Sequence, residues 1–440
     1  MNSEQQYIDL YKQAREMIHG HSGDVMNAGR DAAFERFAQN GFPTRKVERY
    51  KYTDMQALFA PDYGLNLNRL EMPVDPYKAF RCDVPNLSTS LYFVVNDGFY
   101  AKALPNVQLP EGVTIGSLRQ YATSHYNQLA GKSSDAVTDL NTMLAQDGLY
   151  IHVAKGAKAN RAIQVINILR SDVDLMVNRR VLIEVEEGAE LKMLFCDHAA
   201  DDRRFLATQV IEAFVGQNAS LDLYCLEETH YKNVRVSNVY IDQQANSRVN
   251  HNVITLHNGI TRNRLDLTFS GEGAECQCYG CVIADKQQHV DNNTLITHKV
   301  PHCTSNELYK YVLDDKATGA FAGRVLVEHG AQKTTSQMTN QNLTATKEAR
   351  MYTQPMLEIY ADDVKCAHGS TVGQLNDAAL FYMRQRGISL KEAKLLLQNA
   401  FINEVIDKMQ LAPLRDRLHH LVEKRFRGEL NKCEGCRLCK

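Results

Sequence analysis

The chain has 440 residues, 44% hydrophobic and 23% charged, the balance of a globular protein with about two to three domains. A formal net charge of −2 supplies no field for nucleic acid or an anionic membrane. Eleven cysteines scattered over such a length fit reduced thiols and metal or cluster chemistry better than a secreted disulfide framework.

The N-terminal MNSEQQYIDLYKQAREM has no apolar signal core and no transit-peptide character, and no apolar run approaches the roughly twenty residues that span a bilayer. A cytoplasmic location is expected. Ser3 and Gln6 fit a capping box for a first helix, along which Tyr7, Leu10, Tyr11, Ala14, Met17 and Ile18 recur at helical spacing. A second helix is expected from Asp31 to Gln39, closed by Asn40-Gly41, followed by the proline-marked turn of GFPTRKVERYKYTDM. These elements define an N-terminal helical domain over residues 1–90. Beyond it, to about residue 148, short strand-like pieces such as Leu91–Val95 alternate with loops.

From Leu149 one short strand follows another, with Val181, Ile183 and Val185, then Leu221, Leu223 and Cys225, each set on one face. A turn signal centred on a small residue recurs at Gly156-Ala157, Gly188-Ala189, Asn218-Ala219, Gln244-Ala245, Gly273-Ala274 and Gly330-Ala331. The alanines are 32, 30, 26, 29 and 57 apart, the last nearly twice the others. That period is longer than a β-sandwich uses between turns and favours a β-helix, each coil burying its inner face against its neighbours. The mainly β core is therefore placed at residues 91–365.

The stretch LEIYADDVKCAHGSTVGQLNDAALFYMRQRG, residues 357–387, is a joint. Leu357, Ile359 and Ala361 alternate like a strand, while Asn376 fits the cap of a helix carrying Leu380, Phe381 and Met383 and stopped by Gly387. Between them Cys366 and His368 set a thiol and an imidazole two residues apart, beside Lys365 and Gly369. A small buried hydrophobe and a hydrogen-bonded loop residue would also account for that pair. Two more helices follow, one opened by the Ser389/Glu392 capping box with Ala393, Leu397, Ala400, Phe401 and Val405 in a stripe, the other opened by Pro413 with Leu414, Leu418, Leu421, Val422 and Phe426, and ended by Gly428. Residues 366–440 thus form a C-terminal helical domain with a cysteine-rich tail.

In that tail Cys433, Cys436 and Cys439 make a C-x-x-C-x-x-C run that could bring three thiolates to one soft metal, short of the usual fourth ligand. Cys276, Cys278 and Cys281 look similar, but in a strand the first two share a face that the third does not, which favours core packing. His289, Asp291, His298 and His302 read better as a hydrogen-bonded ladder than as a metal site. No G-x-S-x-G elbow and no phosphate loop ending in Gly-Lys-Ser/Thr occurs, so any nucleotide hydrolysis must come from a partner.

HVDNNTLITHKVPHCTSNELYKYVL, GAFAGRVLVEHGAQKTTSQMTNQNL and LEIYADDVKCAHGSTVGQLNDAALFYMRQRGIS closely resemble the SufB/SufD family of the SUF iron–sulfur cluster assembly machinery. GFPTRKVERYKYTDM is similar to the family's N-terminal motif, with Tyr50 where tryptophan is common. Pro301-His302-Cys303 and Cys366-Ala367-His368-Gly369 resemble the SufD forms of two motifs that differ in SufB. The resemblance spans most of residues 40–425. It implies a right-handed parallel β-helix between helical terminal domains, pairing with SufB through the β-helix, and binding of the SufC ATPase by the C-terminal helices, about residues 376–427. It also implies a scaffold rather than an enzyme, holding no tight cofactor but a transient iron or iron–sulfur cluster at the SufB interface. By the same resemblance His368 matches the family histidine at that interface and Cys366 is its neighbour, while the cysteine tail lies outside the common pattern. The rival readings are a purely structural adaptor without iron contact and a carbohydrate-acting β-helix enzyme; a homodimer in isolation is an alternative association of the same scaffold.

Overall fold

Between Leu149 and Gly373 the chain is almost entirely strand, and most of these strands are buried along their whole length, which requires cover on both faces. In the computed structural model, which describes residues 3–79, 91–102 and 109–429, that cover comes from a two-sheet solenoid with helices on its outside. Three strands precede the coils: β1 (Leu91–Val95), β2 (Gly98–Phe99) and β3 (Val113–Ser117). The coils are β4 (Leu149–Val153), β5 (Ile163–Leu169), β6 (Leu175–Val185), β7 (Glu190–Ala199), β8 (Phe205–Val215), β9 (Ser220–Glu228), β10 (Val234–Gln243), β11 (Arg248–His257), β12 (Ile260–Phe269), β13 (Glu275–Ala284), β14 (His289–His298), β15 (Thr304–Leu313), β16 (Thr318–Val327), β17 (Thr335–Thr344), β18 (Arg350–Ile359) and β19 (Lys365–Gly373).

From β4 onward odd and even strands separate, into a ten-stranded sheet that also holds β1 and β2 and a nine-stranded sheet that also holds β3; from β6 to β17 each strand pairs in parallel with the strands two before and two after it. A turn of chain is therefore one strand from each sheet, and the β-sandwich is excluded. The inward side chains, among them Val181, Ile183, Val185, Leu221, Leu223 and Cys225, form one core between the sheets. The repeated turns put a residue in the left-handed region just before a small inward one: Gly156, Gly188, Asn218 and Gly273, with φ between 57° and 73°. Three sequence assignments shift, one of them at Gly330-Ala331, where the left-handed residue is Lys333, φ 62°, before buried Thr334. The left-handed residue near Gln244-Ala245 is Asn246, φ 55°, before buried Ser247, and the gap of 57 is filled by His302, φ 61°, with buried Cys303 in the alanine's place. No glycine marks that turn, so the spacing seemed to double.

Ten helices flank the solenoid in the described residues: α1 (Ser3–Gly20), α2 (Asp24–Asn27), α3 (Arg30–Asn40), α4 (Met55–Phe59), α5 (Pro76–Ala79), α6 (Leu118–Tyr121), α7 (Ala136–Leu144), α8 (Asp377–Gln385), α9 (Leu390–Ile406) and α10 (Ala412–Arg427). None is long and apolar enough to cross a membrane. The capping box expected at α1 does not form, because the Gln6 amide donates to the Phe59 carbonyl. Tyr7, Ile8, Tyr11 and Ile18 of α1 pack with α3, α4 and α7 onto Met176, Leu206, Val234 and Val236, on the outer face of the nine-stranded sheet. Helix α7 stands where strands and loops were expected. Arg30, fully buried, donates to the carbonyls of Thr142, Met143 and Ala145 at the C-terminal end of α7, where the helix dipole favours a cation.

Asp135 caps the other end of α7 and ties it to the sheet. One of its oxygens accepts from the Val137 and Thr138 amides and from Asn238, the other from Arg264 and the Tyr50 hydroxyl. Burial alone would raise this carboxyl, but Arg264, the Tyr50 hydroxyl, Arg262 and the Thr138 amide outweigh it and hold it at about 2. The folded pKa lies below the unfolded one. The stabilisation, about 2–3 kcal/mol, is therefore complete above the ordinary carboxylate range and fades as pH falls from about 4 to about 2. Acid titration followed by hydrogen exchange should show α7 losing protection in that window in the native chain. Asp135→Asn should show low protection of α7 already at neutral pH.

The C-terminal helices cover the outer face of the other sheet. Ile402, Val405 and Ile406 of α9 and Leu414, Leu418, Leu421 and Val422 of α10 pack on Ile166, Leu194, Tyr224, Ile254, Cys281 and Val312. Arg425 donates to the Leu256 carbonyl at 2.5 Å and pairs with Asp285, and Lys310 pairs with Glu404. Asn376 and Ser389 cap α8 and α9 through the Ala379 and Glu392 amides, and Gly428 closes α10 with φ 76°. The boundary at residue 365 needs correction: Lys365–Gly373 is strand β19, so the joint segment is the last piece of the sheet and not the start of the helical part.

Candidate functional site

The solenoid stops at β18 and β19, each the last strand of its sheet. Residues of β19 pair on one side only, Cys366 with Ser336, His368 with Met338 and Ser370 with Asn340. In a strand, residues two apart share a face, so Cys366, His368 and Ser370 continue the inward-facing columns of β17. Ser336, Met338 and Asn340 are buried, with β19 next to them; His368 and Ser370, with no further coil beyond, are exposed. The core column thus becomes the floor of an open surface. An added Cβ at Gly369 would meet nothing within 4 Å.

Cys366 is half-buried against the inter-sheet core. Burial pushes its thiol up, against the opposing pull of the Ser336 amide, so at neutral pH it carries its proton until a soft metal displaces it. His368 stands beside it with its ring in solvent. No group of three His, Cys, Asp or Glu side chains able to hold a metal ion occurs among the described residues. The end surface therefore carries one thiol and one imidazole, donor types that suit iron.

The other candidates are placed elsewhere. Cys433, Cys436 and Cys439 lie outside the described residues. Cys276 and Cys278 face the inter-sheet core while Cys281 packs beneath the C-terminal helices. His289 meets Thr53 at 3.0 Å and Thr318 at 2.6 Å, and Asp291 accepts from Thr53 at 2.6 Å, so these two belong to a hydrogen-bonded ladder holding the N-terminal segment. His298 bonds to Ser305, which donates to Ser336, the register partner of Cys366. His302 sits at an exposed turn. Ser370 was missed by sequence reasoning, although its even spacing from Cys366 and His368 was the signal, once the segment is known to be a strand.

Sequence comparison agrees with this architecture. The profile described as "SUF system FeS cluster assembly, SufBD core domain" matches residues 167–401, and "SufBD protein N-terminal region" matches residues 1–165. A SufBD family protein of Synechocystis, slr0076, is 28% identical over 93% of both chains. The iron–sulfur cluster assembly protein SufD of Escherichia coli is 28% identical over 90% of this chain and 92% of its own. Protein ABCI7, chloroplastic, of Arabidopsis thaliana is 26% identical over 90% and 85%. With two profiles covering nearly the whole length of a two-sheet solenoid, the chain belongs to the SufBD family of SUF-system iron–sulfur cluster assembly proteins.

Proposed function

We propose that this chain is a SufD-type scaffold subunit that helps assemble iron–sulfur clusters and does not turn over a small substrate. It pairs with a SufB-type solenoid through its open end, takes motion from a SufC-type ATPase docked on α8–α10, and works in the cytoplasm. The cluster is cargo, held transiently where His368 and Cys366 meet ligands from the partner. The observation that carries this reading is β19, a strand paired on one side only that sets an imidazole and a thiol two residues apart at the mouth of the solenoid. Long uncovered edge strands invite pairing. Of the two end strands, β18 carries Pro355, which lacks a backbone donor, whereas β19 has none, so β19 is the better edge to extend. Val372, Ile359 and Tyr360 are 50%, 39% and 54% exposed beside it, an apolar surface suited to cover by another solenoid.

The ATPase contact is assigned to α8 because Phe381 and Tyr382 are 63% and 58% exposed on a helix otherwise fixed by its cap. Expression of residues 1–375 should leave pairing with the SufB-type partner intact and abolish ATPase co-purification. The Phe381→Ser/Tyr382→Ser chain should lose the ATPase while keeping α9 and α10 in place. An ATPase that still bound both would remove the docking assignment. For the cysteine tail, deletion of residues 431–440 is expected to leave the complex intact and to lower cluster assembly only in part. Complete loss of assembly would make the tail an essential site.

A further inference from the structure

Midway along the solenoid the inter-sheet core contains a small buried cavity of about 10 Å³, whose lining includes Cys225, Arg235, Ser237, His251, Asn263 and Arg264. His251 is 2% exposed, and neither ring nitrogen has a hydrogen-bond partner among the described residues. The Arg235 Nε–H facing the same interior is also without one. Buried polar atoms are rarely left in that state, and a cavity of this size and polarity holds about one water.

We infer that His251 and Arg235 form the binding site of a single ordered neutral water in the solenoid core. Each cation lining the cavity is already paired, which selects a neutral occupant: Arg235 with Asp197 at 3.4 Å and Glu227 at 3.3 Å, and Arg264 with Asp135 at 2.7 Å and Asp266 at 2.5 Å. An anion or a metal cation would leave a net charge in a site that has no solvent to screen it. Water meets two of these demands, since its oxygen accepts from Arg235 Nε–H and one of its hydrogens reaches the acceptor nitrogen of the neutral ring. Burial lowers His251 to about 4, which keeps the ring neutral under ordinary conditions. The Ser237 hydroxyl, which accepts from the Gln209 amide at 3.2 Å, retains its own proton for the same molecule. This site is independent of the proposed cargo surface, although His251, Cys278, Glu307, Met338 and His368 stand in one register column.

The test is a crystal structure of the full chain at a resolution where waters are ordered, with ring-¹⁵N spectra of the same protein. One spherical peak within hydrogen-bond distance of a His251 nitrogen and Arg235 Nε is expected, together with a neutral, hydrogen-bonded imidazole. His251→Leu should lose the peak while keeping its circular dichroism. An empty cavity in the native chain, ring nitrogens bonded instead to protein atoms, or uptake of bromide at this position in soaked crystals would each overturn the assignment.

Discussion

Cells carrying His368→Ala as their only copy are expected to assemble the complex at normal levels and to lose most iron–sulfur enzyme activity. The separation follows from where the side chain sits. His368 is exposed on the last strand, and among the described residues its ring has no hydrogen bond to lose. Its removal should therefore change stability by no more than about 0.5 kcal/mol, as for other surface positions without special contacts. Its backbone still pairs with β17 at Met338, so the edge remains available to a partner. What disappears is the ring nitrogen, and the described residues hold no group of three His, Cys, Asp or Glu side chains that would take over its role. Cys366→Ser should be milder, since that thiol is half-buried and protonated and part of its role is packing against the core. The measurements are co-purification, iron and acid-labile sulfide content, and the activity of a reporter iron–sulfur enzyme. Full activity with alanine at position 368 would leave the structural-adaptor reading in its place.

The same strand shows why the fold was more legible than the site. Inward positions such as Val181, Ile183 and Val185 alternate regularly because a core lies on one side of them, and the turns repeat because each coil needs a left-handed residue before a small one. On β19 no coil follows, only Cys366 is half-buried, and Gly369 and Gly373 weaken any strand signal. Its strand character comes from pairing with β17, a long-range contact that local pattern does not encode. Helix α7 was legible and was passed over: Val137, Leu140, Met143 and Leu144 recur at helical spacing behind the Asp135 cap, with Thr138, Asp139, Asn141 and Thr142 between them. The C-terminal helices were plain because their caps and apolar stripes are local: Asn376 and Ser389 cap as expected, and the α10 stripe is buried, whereas on α9 the buried set is Ala393, Leu395, Ile402, Val405 and Ile406 in place of part of the expected stripe.

The largest loss of stability is expected from Glu212→Ala, at the seam between the solenoid and the segment that leads into α7. Glu212 and Arg180 are both fully buried and meet at 2.7 Å. The same carboxylate accepts from the amides of Asn127, Leu129 and Ala130 at 2.8 to 3.0 Å. Arg180 in turn bonds the Thr142 hydroxyl and Asn127 and stacks 4.7 Å from the Tyr126 ring. Alanine at 212 leaves three amides and a guanidinium without their acceptor, out of reach of water, a change that costs about 3–5 kcal/mol for a buried pair. The surface pair Lys155–Glu187, 68% and 49% exposed, should by contrast be worth about 0–1 kcal/mol. Removing both charges together, as Arg180→Met/Glu212→Leu, takes away the uncompensated guanidinium and should cost less than the sum of the two single changes, because the stranded partner causes much of each single loss. Urea unfolding of the four chains, followed by far-ultraviolet circular dichroism and by protection of the α7 amides, measures that coupling. Strictly additive losses, or a Glu212→Ala chain within about 1 kcal/mol of the native one, would mean that the seam is held by the apolar contacts of Leu140 and Met143 and not by this pair.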